Sequence, residues 1–161
     1  MDELKSAGAA AGALLKARRQ TIAVAESSAG GLINAALVAV PGASAYYLGG
    51  AVIYTRESRE KILGITKEEM QGMRSASEPF AKLMAARLRA NLGADWGLAE
   101  TGASGPAGNR YGDAAGHACI AVSGPREAVI TVETGSTDRE ANMREFTRRA
   151  LELLEQCLSR A

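Results

Sequence analysis

Two stretches of the chain carry residue types suited to chemistry. Ser27-Ser-Ala-Gly-Gly31 sets two hydroxyls beside two glycines, and Thr101-Gly-Ala-Ser-Gly-Pro-Ala-Gly-Asn109 adds Thr101 and Ser104 in a segment dense in glycine and proline. A serine oxygen is a nucleophile once a neighbouring base takes its proton, and glycines let a ligand approach the backbone closely. A turn that opens a helix also offers unpaired N–H groups and a positive dipole end to a phosphate, a carboxylate or a developing oxyanion. The plain alternative for a serine in that place is a helix cap. The second stretch is costly in chain entropy to order, which favours a binding loop over an idle connection.

Other chemistries lack their residues. The single histidine, His117, lies in an apolar run and no G-x-S-x-G elbow is present, so a Ser-His-Asp triad is not available. Neither the Walker pattern nor G-x-G-x-x-G follows the first apolar run, which removes the main support for ATP hydrolysis and hydride transfer. With one histidine and no second ligand at metal spacing, no zinc or iron site is expected. Lys+Arg 19 against Asp+Glu 18 leaves a net charge of +1, too little to neutralise a phosphate backbone, so nucleic acid is not an expected partner.

The elements that must position these residues follow from apolar spacing. Asp2 to Arg19 reads as an amphipathic helix, because charges interrupt its alanines; it is not a secretory signal. Thr21 to Ala25 reads as a buried strand leading into the serine turn, and Leu32 to Val40 as a helix stopped by Pro41-Gly42. Gly49 to Thr55 is expected as a second strand, Arg56 to Leu63 as a charged helix closed by Gly64, and Thr66-Lys-Glu-Glu69 as the opening of another. Ser75-Ala-Ser-Glu78 has capping-box spacing ahead of a helix over Phe80 to Leu92. Trp96 to Glu100 is a third strand running into the second loop. His117 to Ser123 and Ala128 to Glu133 form an antiparallel pair, and Asp138 to Arg160 the last helix.

These readings describe one α/β domain over residues 1–161, a layered sandwich with a mixed, largely parallel sheet and helices on its faces. At 161 residues and 47% hydrophobic, it buries a core without staples. Cys119 and Cys157 sit in unrelated segments and read as ordinary thiols of a reducing compartment. No apolar run nears the roughly 20 residues that cross a bilayer, so a cytoplasmic protein without membrane contact is expected. In such sheets the ligand crevice lies beyond the carboxyl ends of the strands, where both glycine-rich stretches fall.

The resemblance to a known family rests on seven segments in order: Ala25-Glu-Ser-Ser-Ala-Gly-Gly31, Pro41-Gly-Ala-Ser-Ala45, Gly50-Ala-Val-Ile-Tyr54, Leu63-Gly64, Ser77-Glu78, Thr101-Gly-Ala-Ser-Gly-Pro106 and Gly116-His-Ala-Cys-Ile-Ala121. Together they resemble the nicotinamide mononucleotide deamidase family, also known as the CinA C-terminal domain. The resemblance implies hydrolysis of the carboxamide of nicotinamide mononucleotide to nicotinic acid mononucleotide and ammonia in pyridine nucleotide recycling, with no metal or organic cofactor. It also implies a small-molecule nucleotide as partner and a homo-oligomer, with a dimer as the simplest form.

Carried over by position, the family's nucleophilic serine falls on Ser27, its tyrosine on Tyr54 and its lysine on Arg59. Candidate substrate contacts are Glu26, Ser28, Gly30 and Gly31 in the first motif and Thr101, Gly102, Ser104 and Gly105 in the second. Arg139, at the family's Asp-Arg position, is a candidate phosphate ligand. The N–H groups of Gly30 or Gly31 are the expected oxyanion donors. Ser28-Ala29 replaces the usual Cys-Thr, and Ala103-Ser104 replaces Ile-Ala. Arginine in place of lysine has a larger consequence, since a guanidinium stays protonated at physiological pH and cannot act as a general base. A nucleotide-binding homologue with weak or no turnover is therefore the alternative reading.

Overall fold

The apolar run after Gln20 becomes strand β1 (Ile22–Glu26), with all five residues buried. Unbroken burial is what a strand covered on both faces requires. In the computed structural model, which describes residues 1–161, β1 pairs in parallel with β2 (Tyr47–Val52) on one side and β3 (Trp96–Ala103) on the other. Strands β4 (His117–Ser123) and β5 (Ala128–Glu133) extend the sheet antiparallel. The strand order is β2-β1-β3-β4-β5.

Helices cover both faces. Helices α1 (Asp2–Arg18), α2 (Leu32–Val38) and α5 (Arg139–Arg160) pack on one face around Leu15, Ile33, Trp96, Leu98, Phe146 and Leu154. On the other face α4 (Glu78–Leu92) lies on the sheet through Phe80, Met84 and Leu88, with α3 (Arg56–Leu63) beside it. The layered α/β sandwich with a mixed sheet is thus the observed architecture, and its parallel pairings centre on β1. Free Cys119 and Cys157 are both buried. No helix is long and apolar enough to cross a membrane.

Several boundaries differ from the sequence reading. Strand β2 runs from Tyr47 to Val52, so Tyr54 and Thr55 leave the sheet; Thr55 instead caps α3 in a reciprocal box with Ser58. Helix α2 ends at Val38, two residues early. Thr66 and Glu69 do exchange cap-like bonds, Thr66 N–H to Glu69 Oε2 at 2.8 Å and Glu69 N–H to Thr66 Oγ1 at 3.1 Å. The chain then passes through turns to Gly72 at φ 73, and no helix propagates. The cap of α4 is Ser77, which accepts from Phe80 N–H, not Ser75. Thr101, Gly102 and Ala103 belong to β3, because the ladder to β4 continues through Ala103 opposite His117.

Candidate active site

The turn after β1 and the end of β3 meet at one cavity of about 500 Å³. Ser27, Ser28, Tyr54 and Arg59 line it, together with Thr101, Gly102, Ser104, Gly105 and Arg139. The two glycine-rich stretches therefore share a site at the carboxyl ends of parallel strands, as the crevice rule requires. The volume is in the range of small-molecule pockets.

Three sequence-nominated residues take other places. Glu26 is fully buried and accepts from Gly31 N–H at 2.8 Å, Ile33 N–H at 3.2 Å, Asn34 N–H at 2.8 Å and Asn34 Nδ2 at 2.7 Å. The anion at the start of α2 is the protein's own carboxylate, which satisfies the donors that would otherwise face a ligand. Gly31 N–H is thereby spent, and Gly30 N–H donates to Ser27 C=O at 3.0 Å. Neither glycine lines the cavity, so the expected oxyanion donors at 30 and 31 are structural. Gly31, at φ 104, instead supplies the left-handed turn into the helix. Across the sheet, a Cβ at Gly50 would lie 1.8 Å from Asn34 Oδ1, so its bare Cα leaves room for the Glu26–Asn34 cap.

The serines have different partners. Ser28 Oγ donates to the Glu100 carboxylate at 2.8 and 3.0 Å, and Ala29 N–H donates to Glu100 Oε1 at 2.7 Å. Ser104 Oγ donates to Ser28 C=O at 3.3 Å and ties the two loops together. Glu100 is fully buried, and desolvation pushes its carboxyl up to about 7. The bonds from Ser28 and Ala29 pull it down, and the charge of Glu26 pushes it up again. Ser27 lines the cavity half-buried and has no such partner.

Cations dominate the wall. Arg56, Arg59, Arg110 and Arg139 line the cavity, and no carboxylate does. The Arg59 guanidinium lies 5.9 Å from the Phe80 ring centroid, and its buried Nε has no hydrogen-bond partner. Arg139 donates to Gly105 C=O at 2.5 Å and to Tyr54 Oη at 3.1 Å, bracing the exposed tyrosine against the loop. Tyr111 lies between Arg74 and Arg110, each 5.1 Å from its ring centroid. The hydrogen bond from Arg110, with lesser help from Ser75, outweighs burial and lowers the Tyr111 phenol.

Behind the cavity, Ala76 adopts φ 55, uncommon for a residue with a Cβ. Its N–H donates to Thr101 Oγ1 at 3.1 Å, and His117 Nε2 lies 2.7 Å from its C=O. His117 Nδ1 is 2.5 Å from Glu133 Oε1. Burial alone would lower the His117 imidazole; Glu133, the Ala76 carbonyl and Asp113 outweigh it and raise it. His117 is thus a structural residue that holds the wall formed by Ala76, and Thr101 Oγ1 is an internal acceptor.

Residues 4–158 match the family model described as the CinA C-terminal domain. The chain belongs to that family. A CinA-like protein from Gloeobacter violaceus is 41% identical over 155 residues, covering 95% of this chain and 36% of the relative. One from Anaeromyxobacter sp. (strain K) is 36% identical over 142 residues, covering 88% and 35%. The CinA domain described here spans about a third of the length of the curated relatives it matches. Among solved structures, a CinA superfamily protein from Klebsiella pneumoniae 700603 superposes with a TM-score of 0.92 at 26% identity, covering 98% of this chain and 99% of the other. The competence/damage inducible protein CihA from Agrobacterium tumefaciens gives 0.89 at 25%, covering 98% and 96%.

Sequence reasoning missed four members of this CinA site: Glu100, Arg56, Arg110 and Tyr111. A signal existed for Glu100, a lone carboxylate in the apolar strand Leu98-Ala-Glu100 immediately before the glycine-rich loop. For Arg110-Tyr111 the signal is position, directly after that loop. Arg56 opens a helix whose orientation relative to the cavity is set by tertiary packing alone.

Proposed function

We propose that this CinA domain hydrolyses the carboxamide of a phosphorylated nucleotide, with nicotinamide mononucleotide as substrate and nicotinic acid mononucleotide and ammonia as products. The observation that carries the reading is a cavity of about 500 Å³ where a two-serine turn faces four arginines and no carboxylate. Guanidinium groups match phosphate oxygens in geometry and charge, and a serine hydroxyl supplies the acyl acceptor for an amide. In the reading carried over from the family, Ser27 is that acceptor and Tyr54 stands beside it. Arg59 supplies a fixed positive charge in place of a base.

The test is incubation of the purified protein with nicotinamide mononucleotide and with its dephosphorylated riboside, measuring ammonia and the acid product. Release from the nucleotide with at least about 10-fold preference over the riboside supports the reading. Equal use of both removes the phosphate site. The unpaired Arg59 where the family has lysine favours a second reading, a nucleotide-binding homologue without turnover; binding of the nucleotide with no ammonia would establish it.

We also propose a homo-oligomer. The open edge of β2, with exposed Leu48 and Val52, supports it, since apolar edges that stay uncovered invite association. A monomer mass by light scattering at micromolar concentration would overturn it.

A further inference from the structure

We propose that His117, with protons on both ring nitrogens, is the positioning residue that ties two segments of the cavity wall together, and that loss of one proton loosens this wall and weakens its hold on the ligand. The first half stands on geometry alone, and the second rests on the proposed phosphorylated ligand. One segment is Arg74-Ser-Ala76, of which Ser75 and Ala76 line the cavity. The other is the loop from Ala107 to Asp113, whose residues Ala107 to Tyr111 line it. His117 stands behind both on β4, and both of its ring nitrogens point at oxygen acceptors. Nδ1 is 2.5 Å from Glu133 Oε1; Nε2 is 2.7 Å from the Ala76 carbonyl oxygen and 3.6 Å from Asp113 Oδ2.

A neutral imidazole carries one ring proton and cannot donate in both directions. The anion Glu133 keeps the proton on Nδ1, so the one that leaves is on Nε2, whose lone pair then faces the Ala76 carbonyl. Ala76 gives this loss a consequence. Its φ of 55 is uncommon for a residue with a Cβ and persists only while the surroundings over-determine it. Its N–H donates to Thr101 Oγ1 at 3.1 Å, and its carbonyl accepts from His117 and, at 3.4 Å, from Arg74. Arg74 also donates to both Asp113 carboxylate oxygens at 2.6 and 3.2 Å, and Asn109 Nδ2 donates to Asp113 Oδ2 at 2.9 Å. The Nε2 proton thus lies at the junction of the two segments. Without it Ala76 loses its shortest tie and Asp113 loses the cation behind it.

The charged groups that face the ring are Glu133 from β5 and Asp113, with its partner Arg74, from the wall segments. On β4 itself Cys119 Sγ lies 3.9 Å from Nε2, and β3 presents the neutral Ala103 opposite His117. Glu78 of α4 joins through Thr131, which donates to it at 2.6 Å and lies 3.5 Å from Cys119 Sγ. Burial opposes the charge on the ring, but Glu133, the Ala76 carbonyl and Asp113 outweigh it, and the imidazolium persists above the ordinary 6.5. Burial pushes the Cys119 thiol up, so it stays neutral through this range.

His117 is the only histidine of the chain, so its ring resonances in NMR report on this group alone. In the ligand-free protein both ring nitrogens are expected to carry protons at about pH 6, and the Ala76 amide should shift with the same midpoint as the ring. An imidazole already neutral there, or an Ala76 amide that ignores the titration, overturns the inference. The Kd for nicotinamide mononucleotide, by calorimetry, should rise about 5-fold or more as pH passes the ring midpoint, and by linkage the bound nucleotide should raise that midpoint correspondingly. The nucleotide phosphate and Glu100 titrate in the same interval, so Glu133→Gln decides. Removing the anion on Nδ1 should lower the ring midpoint and carry the affinity step down with it, and His117→Gln should abolish the step. A ring midpoint that moves in E133Q while the affinity step stays in place overturns the coupling. A nucleotide that binds at no pH overturns the proposed ligand, and the Ala76 amide then decides the inference by itself.

Discussion

Arg59 has a buried Nε with no partner and a guanidinium beside Phe80 on the wall of an otherwise polar cavity. A buried donor without an acceptor carries a desolvation cost of about 1–3 kcal/mol that an incoming oxygen anion would remove. A guanidinium cannot take a proton, so Arg59 serves as an anion ligand, and replacing it with a flexible ammonium should weaken the site. Arg59→Lys is then expected to lower kcat/KM for nicotinamide mononucleotide about 10-fold, measured by ammonia release. A gain in activity would instead mean that a lysine at this position can deprotonate and act as the base. Of the site's residues, Ser27, Thr101 and Arg139 were legible because they sit in motifs. Glu100 left one signal, a lone carboxylate in an apolar run before the loop, and only the burial of that strand on both faces separates it from a surface residue.

At the scale of elements, the first helix after the sheet depends on a single side chain. Glu26 satisfies three backbone N–H groups at the start of α2 and holds Asn34 as well. Glu26→Ala leaves those partly or fully buried donors unpaired, so it should destabilise the fold by about 2–4 kcal/mol, read as a shift in urea midpoint at constant slope. Arg139 has the corresponding role at the other end of the cavity. Arg139→Ala releases both Gly105 and Tyr54 and should raise KM several-fold with little change in unfolding midpoint, since one contact is exposed and the other only partly buried. Elements with strong local signals were legible: α3 with its closing Gly64, α5, and the β4–β5 hairpin around Gly124-Pro125. The segment after Thr66 was not. Its cap bonds form, but the helix they announce has no apolar face to bury before Gly72, and helical starts without tertiary packing do not propagate. Strand β2 was displaced because its ladder with β1 starts at Tyr47 and ends at Val52, a register set by pairing and not by the apolar run.

For the whole molecule, the groups that titrate near neutrality act in one direction. Glu100 is raised from 4.5 to about 7, so between those values the unfolded chain loses a proton that the folded chain keeps. His117 is also raised, so above 6.5 the unfolded imidazole deprotonates before the folded one. Both contributions are fully present below the unfolded pKa, and both are lost as pH rises through the folded one. The carboxyls of Asp113, Glu69 and Glu145 are lowered, through Arg74, the Thr66 backbone and Arg148 respectively, and their stabilisation disappears only as pH falls below the ordinary carboxylate range. Stability should therefore peak near pH 4.5 and decline toward pH 8, the Glu100 part between about 4.5 and 7 and the His117 part above 6.5. The Glu100 share of that decline is on the order of 3 kcal/mol, from the free energy of a pKa shift. Glu100→Gln should flatten the decline, and His117→Gln should remove its upper part, both read from urea midpoints across pH. A wild-type midpoint that rises from pH 5 to pH 8 would show that Glu100 does not retain its proton when buried. A Glu100-dependent loss that begins near pH 4.5, levels off near 7 and is absent from E100Q would assign that part of the decline to the buried carboxyl.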